Sequence, residues 1–237
     1  GADLLDVGGE STRPGAAPVA PAEQRARIRP VLRECGAKLP IIFSIDTSSS
    51  AVARAALDAG AWIINDISAA RDDPEILRLA ADRSAPIVLM HMQNRPADMQ
   101  VDPCYTAVVA EVRKFLQDRA QAAIDAGVSA HRILLDPGMG FGKTVEHNLE
   151  LLRNIQCLTE LPQPIVVGAS RKRFIGAVTN EPDPVRRIFG TAATVAWCIA
   201  NKVSIVRVHD VGPMVQVVRM IRAIKSPAAT ADGRPSA

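Results

Sequence analysis

The sequence predicts a parallel α/β fold, a TIM (β/α)8 barrel with seven of its eight βα units visible. Short apolar runs alternate with longer amphipathic stretches, which is typical of strands that helices cover on both faces. A reactive or hydrogen-bonding side chain also follows nearly every run. An open doubly wound sheet needs such residues at only two or three strand ends, whereas in a barrel all the ends meet at one mouth. The distribution of polar residues therefore favours the barrel.

Each predicted strand is a short run rich in β-branched residues. The seven strands are expected at 2–8, 40–46, 62–67, 86–92, 132–138, 164–170 and 203–209. The helices are expected at about 21–36, 49–59, 74–83, 104–126, 147–158, 184–201 and 211–224. Gly60 and Gly127 are expected to end two of these helices, and Pro30 is expected to kink or split the first.

One domain is expected over residues 1–225, because no repeat, linker or change in composition divides them. The opening GADLLDVG has the pattern of a helix end that leads into a second strand, so we expect the first strand and most of its helix to be absent. The tail at 226–237 has few apolar residues and is expected to be disordered.

The composition argues against several classes of protein. A net charge of +3, from 28 basic and 25 acidic residues, is too balanced for a nucleic-acid binder but suits an anionic small substrate. The four cysteines contain no CxxC pair, which argues against a zinc site or a disulfide framework and favours a reducing compartment. No apolar run approaches the roughly 20 residues that span a membrane.

The loop DPGMGFGKT at 136–144 ends like a phosphate-binding Walker loop. Pro137 stands where that loop needs its first glycine, and Asp136 would place a negative charge beside the phosphate. We expect instead a tight loop that brings Phe141 against a flat ligand. Asp136 would then accept hydrogen bonds from an N–C–NH2 edge of that ligand. The alternative is that Asp136 caps the following turn.

Asp46 and Asn65 end two neighbouring predicted strands, in the segments SIDT and NDIS. With Asp136 they supply two acceptors and one amide that both donates and accepts. This set fits the alternating donors and acceptors of a pterin or purine edge. The alternative is that Asn65 and Asp66 form a turn that satisfies its own backbone.

The last two predicted strands end in cationic side chains. Ser170 and Lys172 lie in GASRKRF, where a hydroxyl and free amides at a helix start would make a small anion site. Arg207 and His209 share one face of the last strand and are expected to clamp a diphosphate. Asp6 is the only obvious acid at a neighbouring strand end. A histidine at the edge of the core, bonded to a carboxylate, is the alternative for His209.

Two further segments have open interpretations. ESTRPG at 10–15 has the composition of a mobile loop, which fits a lid over a ligand as well as plain surface. Met90 and Met92 alternate around His91, so one of them faces the barrel interior. That methionine packs either on a flat ligand or in the core.

Together these segments resemble the dihydropteroate synthase family. The motifs occur in family order and cover essentially the whole chain: DVGGESTRPGA, SIDT, INDIS, HMQNRPADMQ, LLDPGMGFGK, VVGASRKRFIG and IVRVHDV. The resemblance implies a transferase of folate biosynthesis that is inhibited by sulfonamides. Its reaction joins p-aminobenzoate to 6-hydroxymethyl-7,8-dihydropterin diphosphate and gives 7,8-dihydropteroate and diphosphate.

The resemblance also assigns roles to the strand-end residues. The pterin is expected on Asp46, Asn65, Asp136 and Lys172, with Met90, Phe141 and Gly168 beside it. Thr12, Arg13, Pro14 and Ser170 are expected around p-aminobenzoate, and Arg207 and His209 on the diphosphate. The expected catalytic residues are Asp46, Lys172, Arg207 and His209.

By the same resemblance we expect Mg²⁺ as cofactor, a homodimer through the last helices and a cytoplasmic location, or an organellar one in a eukaryotic form. The family's first strand carries an Asn that helps to bind Mg²⁺ and diphosphate, so no metal ligand is expected within this chain. Some relatives are fused to a preceding pterin pyrophosphokinase, so the absent beginning is either one strand or a whole domain. A pterin-binding methyltransferase-like barrel, a nucleotide kinase and a truncated, non-catalytic remnant remain as alternatives.

Overall fold

The computed structural model of the chain describes residues 1–12, 15–94, 98–99 and 101–226. Within them the strands lie where the apolar runs predict. They are β1 (Leu4–Gly8), β2 (Ile42–Asp46), β3 (Ile63–Asp66), β4 (Ile87–Met90), β5 (Ile133–Asp136), β6 (Val166–Val167) and β7 (Ile205–Val206). The predicted disordered tail lies, except for Ser226, outside the described residues.

Helices follow the strands in alternation. They are α1 (Pro21–Lys38), α2 (Ser50–Asp58), α3 (Glu75–Asp82), α4 (Val108–Asp125), α5 (Val145–Arg153), α6 (Gln156–Thr159), α7 (Arg173–Thr179), α8 (Ile188–Ala200) and α9 (Val211–Lys225). The helix predicted at 147–158 is two helices, α5 and α6. The sequence did not predict α7, because its seven residues are too few to show a clear helical period.

Two glycines and one proline are expected to end or interrupt helices. Gly60 and Gly127 adopt φ of 104° and 96° just beyond α2 and α4, so their predicted role is confirmed. Pro30 lies inside α1, which is one helix, and the expected split is wrong. Pro30 is exposed, whereas the buried face of α1 carries Ile28 and Leu32. The proline ring and the lost hydrogen bond therefore fall on the solvent side.

The strands are parallel and pair in sequence order. β1 to β5 form one five-stranded sheet, and β6 pairs with β7. A bridge between Leu135 and Ile165 joins the two groups. An unreversed order with a helix after each strand is the TIM-barrel arrangement, whereas a doubly wound sheet reverses its order. None of the described helices is long and apolar enough to cross a membrane.

Strand alternation places the polar residues at the mouth of the barrel. An inner apolar layer is formed by Leu4, Ile63, Val88, Leu134, Val166 and Ile205. The residues two positions further along the same segments are Asp6, Asn65, Met90, Asp136, Gly168 and Arg207. Successive side chains of a strand point to opposite faces, so these residues form the next layer on the same inner face. The two-residue alternation that builds the apolar core therefore also places the polar residues of the site.

Candidate active site

Asp6 organises one side of the mouth. Its Oδ2 accepts hydrogen bonds from Asn65 Nδ2 at 3.1 Å and from Arg207 Nε at 2.7 Å. Its Oδ1 accepts one from the Ser44 hydroxyl, which lies opposite it in the β1–β2 ladder. Sequence reasoning named Asp6 only as the one obvious acid at a strand end that neighbours Arg207 and His209, without a role in ligand binding. One carboxylate thus ties strand ends from opposite parts of the chain, and Arg207 has a partner before any ligand is bound.

Asp46 points an unsatisfied acceptor into this cluster. Its Oδ2 lies 3.6 Å from Arg207 Nη2. Its Oδ1 is buried and accepts no hydrogen bond from the described residues. Burial and the neighbouring Asp6 raise the pKa of Asp46, and Arg207 opposes them. Since a buried acceptor without a donor is costly, this oxygen is a natural partner for an N–H group of a ligand.

Asp136 and Lys172 form the second part of the site. Asp136 is buried, and its Oδ1 accepts a hydrogen bond from Gly138 N at 2.7 Å. Burial raises the pKa of Asp136 to about 6, while that hydrogen bond and Lys172 lower it. Lys172 Nζ lies 4.1 Å from the centre of the Phe141 ring. Asp136 therefore does cap the turn after β5. It also belongs to a charged cluster with Lys172, which lies beside the flat ring of Phe141.

The structure separates the neighbours Asn65 and Asp66. Asp66 is fully buried and accepts hydrogen bonds from the amide and hydroxyl of Ser68 and from the amide of Ala70. The turn alternative is therefore right for Asp66. It is wrong for Asn65, whose side chain joins the cluster around Asp6.

Ser170 and His209 meet between the last two strand ends. His209 N donates to Ser170 Oγ at 3.2 Å, and His209 Nδ1 lies 3.1 Å from the same oxygen. Arg171 and Asp210 form a two-point ion pair beside them, with distances of 3.0 and 2.5 Å. Because Arg171 follows Ser170 and Asp210 follows His209, this pair holds both loops in register.

Comparisons with known proteins show the family to which this fold belongs. The pterin binding enzyme family matches residues 1–209. Over 224 residues the chain is 45% identical to dihydropteroate synthase of Synechocystis sp., which covers 94% of this chain and 78% of the relative.

The chain belongs to the dihydropteroate synthase family.

Solved structures of dihydropteroate synthases have the same fold. The Yersinia pestis enzyme in a sulfonamide drug complex has a TM-score of 0.92 at 38% identity, over 95% of this chain and 82% of that chain. The Xanthomonas albilineans enzyme with 4-aminobenzoic acid has a TM-score of 0.90 at 43% identity, over 95% and 80%. The predicted TIM barrel is therefore confirmed. The family match also decides against the methyltransferase-like barrel and the nucleotide kinase.

A yeast relative is much longer than this chain. The folic acid synthesis protein fol1 of Schizosaccharomyces pombe is 43% identical over 233 residues, which are 95% of this chain and 32% of the relative. Dihydropteroate synthase sequence thus also occurs as one part of a larger polypeptide.

Met90, Phe141 and Gly168, which the family resemblance places beside the pterin, differ in how they pack. Met90 packs with Ile67, Met92 and Met99, and Phe141 lies against this cluster. Met90 is therefore part of a buried wall. A Cβ on Gly168 would lie 3.8 Å from Arg207 Cβ, an ordinary contact, so packing does not require glycine there.

The segment after β1 is described only in part. Glu10 anchors it by accepting hydrogen bonds from Val19 N at 2.8 Å and from Gln24 Nε2 at 3.0 Å. Thr12 is half-buried. Arg13 and Pro14 lie outside the described residues, so the predicted lid and the predicted contacts of these residues with p-aminobenzoate stay predictions.

The described residues contain no all-protein cage for a metal ion. Among them, no group of three or more His, Cys, Asp or Glu side chains is placed to hold one. The carboxylates of Asp6 and Asp46 face the guanidinium of Arg207. Proteins often bind Mg²⁺ through one or two side chains together with substrate phosphates, so the expected Mg²⁺ stays a prediction, and no step of the mechanism below depends on it.

Proposed function

We propose that this site carries out the dihydropteroate synthase reaction, in which p-aminobenzoate displaces diphosphate from 6-hydroxymethyl-7,8-dihydropterin diphosphate. One observation carries the assignment of the site: the buried Asp46 Oδ1 has no donor among the described residues. Asp46 pairs with Asn65 in the β2–β3 ladder, and Asp136 ends β5 in the same sheet. A flat heterocycle with N–H donors on its edge would satisfy that oxygen.

The pterin ring would lie across the ends of β2 to β5. Asp136 would accept from the N–C–NH2 edge of the ring, and Asn65 would both donate and accept. Lys172 and Phe141 would form a wall against the ring, with the methionine cluster around Met90 behind it. The acids are buried, so each hydrogen bond that they accept forms in a medium of low dielectric constant.

The bond between the pterin methylene carbon and the diphosphate oxygen would break first, and both electrons would leave with the oxygen. Arg207 and His209 would stabilise the charge on the leaving group. The methylene cation is delocalised into the ring, and Asp46 would stabilise it. A developing positive charge also lowers the pKa of a neighbouring carboxyl group, so the ionised form of Asp46 is favoured as the bond breaks.

The amine of p-aminobenzoate would then supply the electron pair of the new C–N bond. The nitrogen releases its proton to solvent, and no strong base is needed, because an aniline is already nucleophilic when neutral. Ser170 would orient the carboxylate of p-aminobenzoate. The Arg171–Asp210 ion pair would keep Ser170 beside His209, and so beside the departing diphosphate.

The direct test is to measure 7,8-dihydropteroate and diphosphate in the same reaction. We expect one diphosphate released for each dihydropteroate formed, and a large loss of both in Asp46→Asn with pterin binding retained. Exposed Asp118→Asn is the matched control. Binding of both substrates by the wild-type chain without release of diphosphate would identify the non-catalytic remnant instead.

We also propose a homodimer through α8 and α9. The side chain of Phe189 on α8 is 85% exposed, and Trp197, Met220 and Ile224 are exposed on the same two helices. Exposed apolar groups on neighbouring helices favour a self-complementary contact. Light scattering should give twice the monomer mass, and Phe189→Asp should give the monomer. A monomeric wild-type chain would contradict the proposal.

We place the reaction in the cytoplasm, or in an organelle if the chain belongs to a eukaryotic fusion. All four cysteines are free, which suits a reducing compartment. The fusion alternative rests on the fol1 relative, and the reading frame upstream of Gly1 distinguishes one further strand from a pterin pyrophosphokinase domain. Mg²⁺ stays a prediction for the complex with diphosphate, and calorimetry with and without diphosphate tests it.

A further inference from the structure

Lys143 is a buried lysine within the loop that follows β5. Its side chain is buried, and Nζ lies 2.9 Å from His91 Nδ1, 3.1 Å from Gly138 O and 3.0 Å from Phe141 O. An ammonium group has three donors, and here it meets three acceptors. A neutral amine has only two donors and would leave one acceptor without a partner. The geometry therefore suits a charged Lys143.

His91 is suited to accept this hydrogen bond. Burial and the charge of Lys143 lower the pKa of His91 to about 2, so the ring is neutral. Its Nδ1 must be the unprotonated nitrogen if Lys143 donates to it. The His91 and Phe115 rings pack in a T-shaped arrangement, with ring centres 4.8 Å apart. The acceptor is thus fixed in place by packing.

The backbone around Lys143 fits closely against the loop after β4. We define the β5 loop as residues 137–144. A Cβ on Gly138 would lie 1.8 Å from His91 O, and one on Gly142 would lie 2.6 Å from Gln93 O. Both glycines have positive φ, 65° and 58°. The Lys143 side chain bonds the backbone of this close-fitting loop at both Gly138 and Phe141.

Gly138 and Phe141, which Lys143 bonds, lie against the side chains that are assigned to pterin binding. Gly138 N donates to Asp136, and Phe141 forms the wall beside Lys172. The charge of Lys143 also acts on Asp136, whose pKa it lowers together with Lys172 and Arg207. Burial in turn lowers the pKa of Lys143 to about 7, and Asp136 opposes this change. The two groups support each other's charged state.

We propose that Lys143 is a positioning residue for pterin recognition: it fixes the β5 loop at Gly138 and Phe141, and its charge supports the carboxylate of Asp136. This inference rests on the proposed function, because it assumes that Asp136 binds the pterin. The Lys143 side chain bonds His91 and the backbone of the loop, so it would act on a ligand through that backbone.

The test compares Lys143→Met and Lys143→Arg with the wild-type chain by calorimetry, with 6-hydroxymethylpterin as the probe, from pH 5 to 8. Lys143→Met should weaken binding of the probe by at least roughly 10-fold, because the loop loses charged hydrogen bonds. The pH below which binding is lost should also rise, because Asp136 loses a neighbouring positive charge. Lys143→Arg keeps the charge but cannot meet three converging acceptors, so it should weaken binding and leave that pH in place. The matched control is Lys114→Met on the exposed face of α4.

A purely structural lysine would give a different pattern. Lys143→Met would then lower the free energy of unfolding, while the affinity for the probe and its pH dependence would match those of the wild type, and the inference would be overturned. If Lys143→Met does not fold, Lys143→Arg and His91→Leu decide, since both should weaken binding without moving the pH of its loss. A wild-type chain that does not bind the probe at all would instead overturn the proposed function.

Discussion

The two halves of the mouth hold their charges differently. We call the ends of β2 to β5 the acid half, with Asp46, Asn65 and Asp136, and the ends of β6 and β7 the cationic half, with Arg207 and His209. The Asp46 side chain is 13% exposed, whereas that of Arg207 is 51% exposed. The strands of the acid half have four or five residues in a five-stranded sheet, and those of the cationic half have two.

This difference matches the two tasks of the reaction. A pterin ring stays bound through the chemistry, and buried acceptors recognise its N–H groups strongly because water does not compete. Diphosphate is highly charged and must leave. The exposed guanidinium of Arg207 attracts it without a large desolvation cost and releases it into solvent. The acid half therefore supplies recognition of the ring, with Asp46 also placed to stabilise the methylene cation, and the cationic half supplies stabilisation of the leaving group.

The largest effect is expected from the cationic half. Arg207→Ala should lower turnover on the order of 100-fold or more, as the loss of an oxyanion-type contact does. The measurement is the rate of diphosphate release at saturating concentrations of both substrates. Arg78→Ala, on the exposed face of α3, is the matched control. A change of turnover no larger than that of the control would remove Arg207 from the chemistry.

An effect on binding is expected from the acid half. Asp136→Ala should cost at least ~2 kcal/mol of pterin affinity, because charged hydrogen bonds in a buried setting are lost. Calorimetry with a pterin probe measures the change. Affinity equal to that of the wild type would show that Asp136 only satisfies the turn at Gly138.

The smallest expected effect is on the free energy of unfolding of the ligand-free chain. It distinguishes the buried acid half from the exposed cationic half. The pKa of Asp136 is about 6 in the folded chain against an ordinary 3.8, so the folded state binds more protons between these values. Stability from this group is therefore present below pH 3.8 and is lost as the pH rises through about 6. Asp136→Asn keeps an acceptor for Gly138 N and removes the buried charge. At pH 8 it should raise the free energy of unfolding of the ligand-free chain on the order of 1 kcal/mol.

Urea denaturation at pH 4 and pH 8 checks this expectation, since the gain should be present at pH 8 and nearly vanish at pH 4. Arg207→Gln in the exposed half should give no such gain at either pH. A less stable Asp136→Asn chain at pH 8 would mean that the carboxylate stabilises the fold.

The sequence allowed the layer of site residues to be predicted, because one periodicity governs both packing and function. Alternation along a strand fixes Asn65 two positions after Ile63, and Asp136 two positions after Leu134. The barrel mouth then followed from the number of strands that end in polar groups. The roles of single residues came from the family resemblance, and the structure gives their surroundings without testing those roles.

The contacts that hold the site were not predictable in the same way. Lys143 meets His91, which is 52 positions away, and Arg171 meets Asp210, which is 39 positions away. Such pairs depend on how neighbouring loops turn, and no local pattern encodes that. In the sequence, Lys143 belongs to DPGMGFGKT, a segment that resembles an incomplete Walker loop. The spacing of that segment does not indicate a contact with a buried histidine.

The central claim is the division of labour between the halves, and calorimetry with two ligands tests it most directly. Two ligands should be titrated into the wild-type chain, Asp136→Ala and Arg207→Ala. They are the pterin alcohol, which is 6-hydroxymethylpterin without phosphates, and the pterin diphosphate. We predict that Asp136→Ala weakens binding of both ligands equally, because both carry the ring. We predict that Arg207→Ala weakens binding of the diphosphate and leaves the alcohol nearly unchanged. Equal losses for the two ligands in Arg207→Ala would contradict the account, because Arg207 would then support the site through Asp6 and Asp46 rather than bind the leaving group.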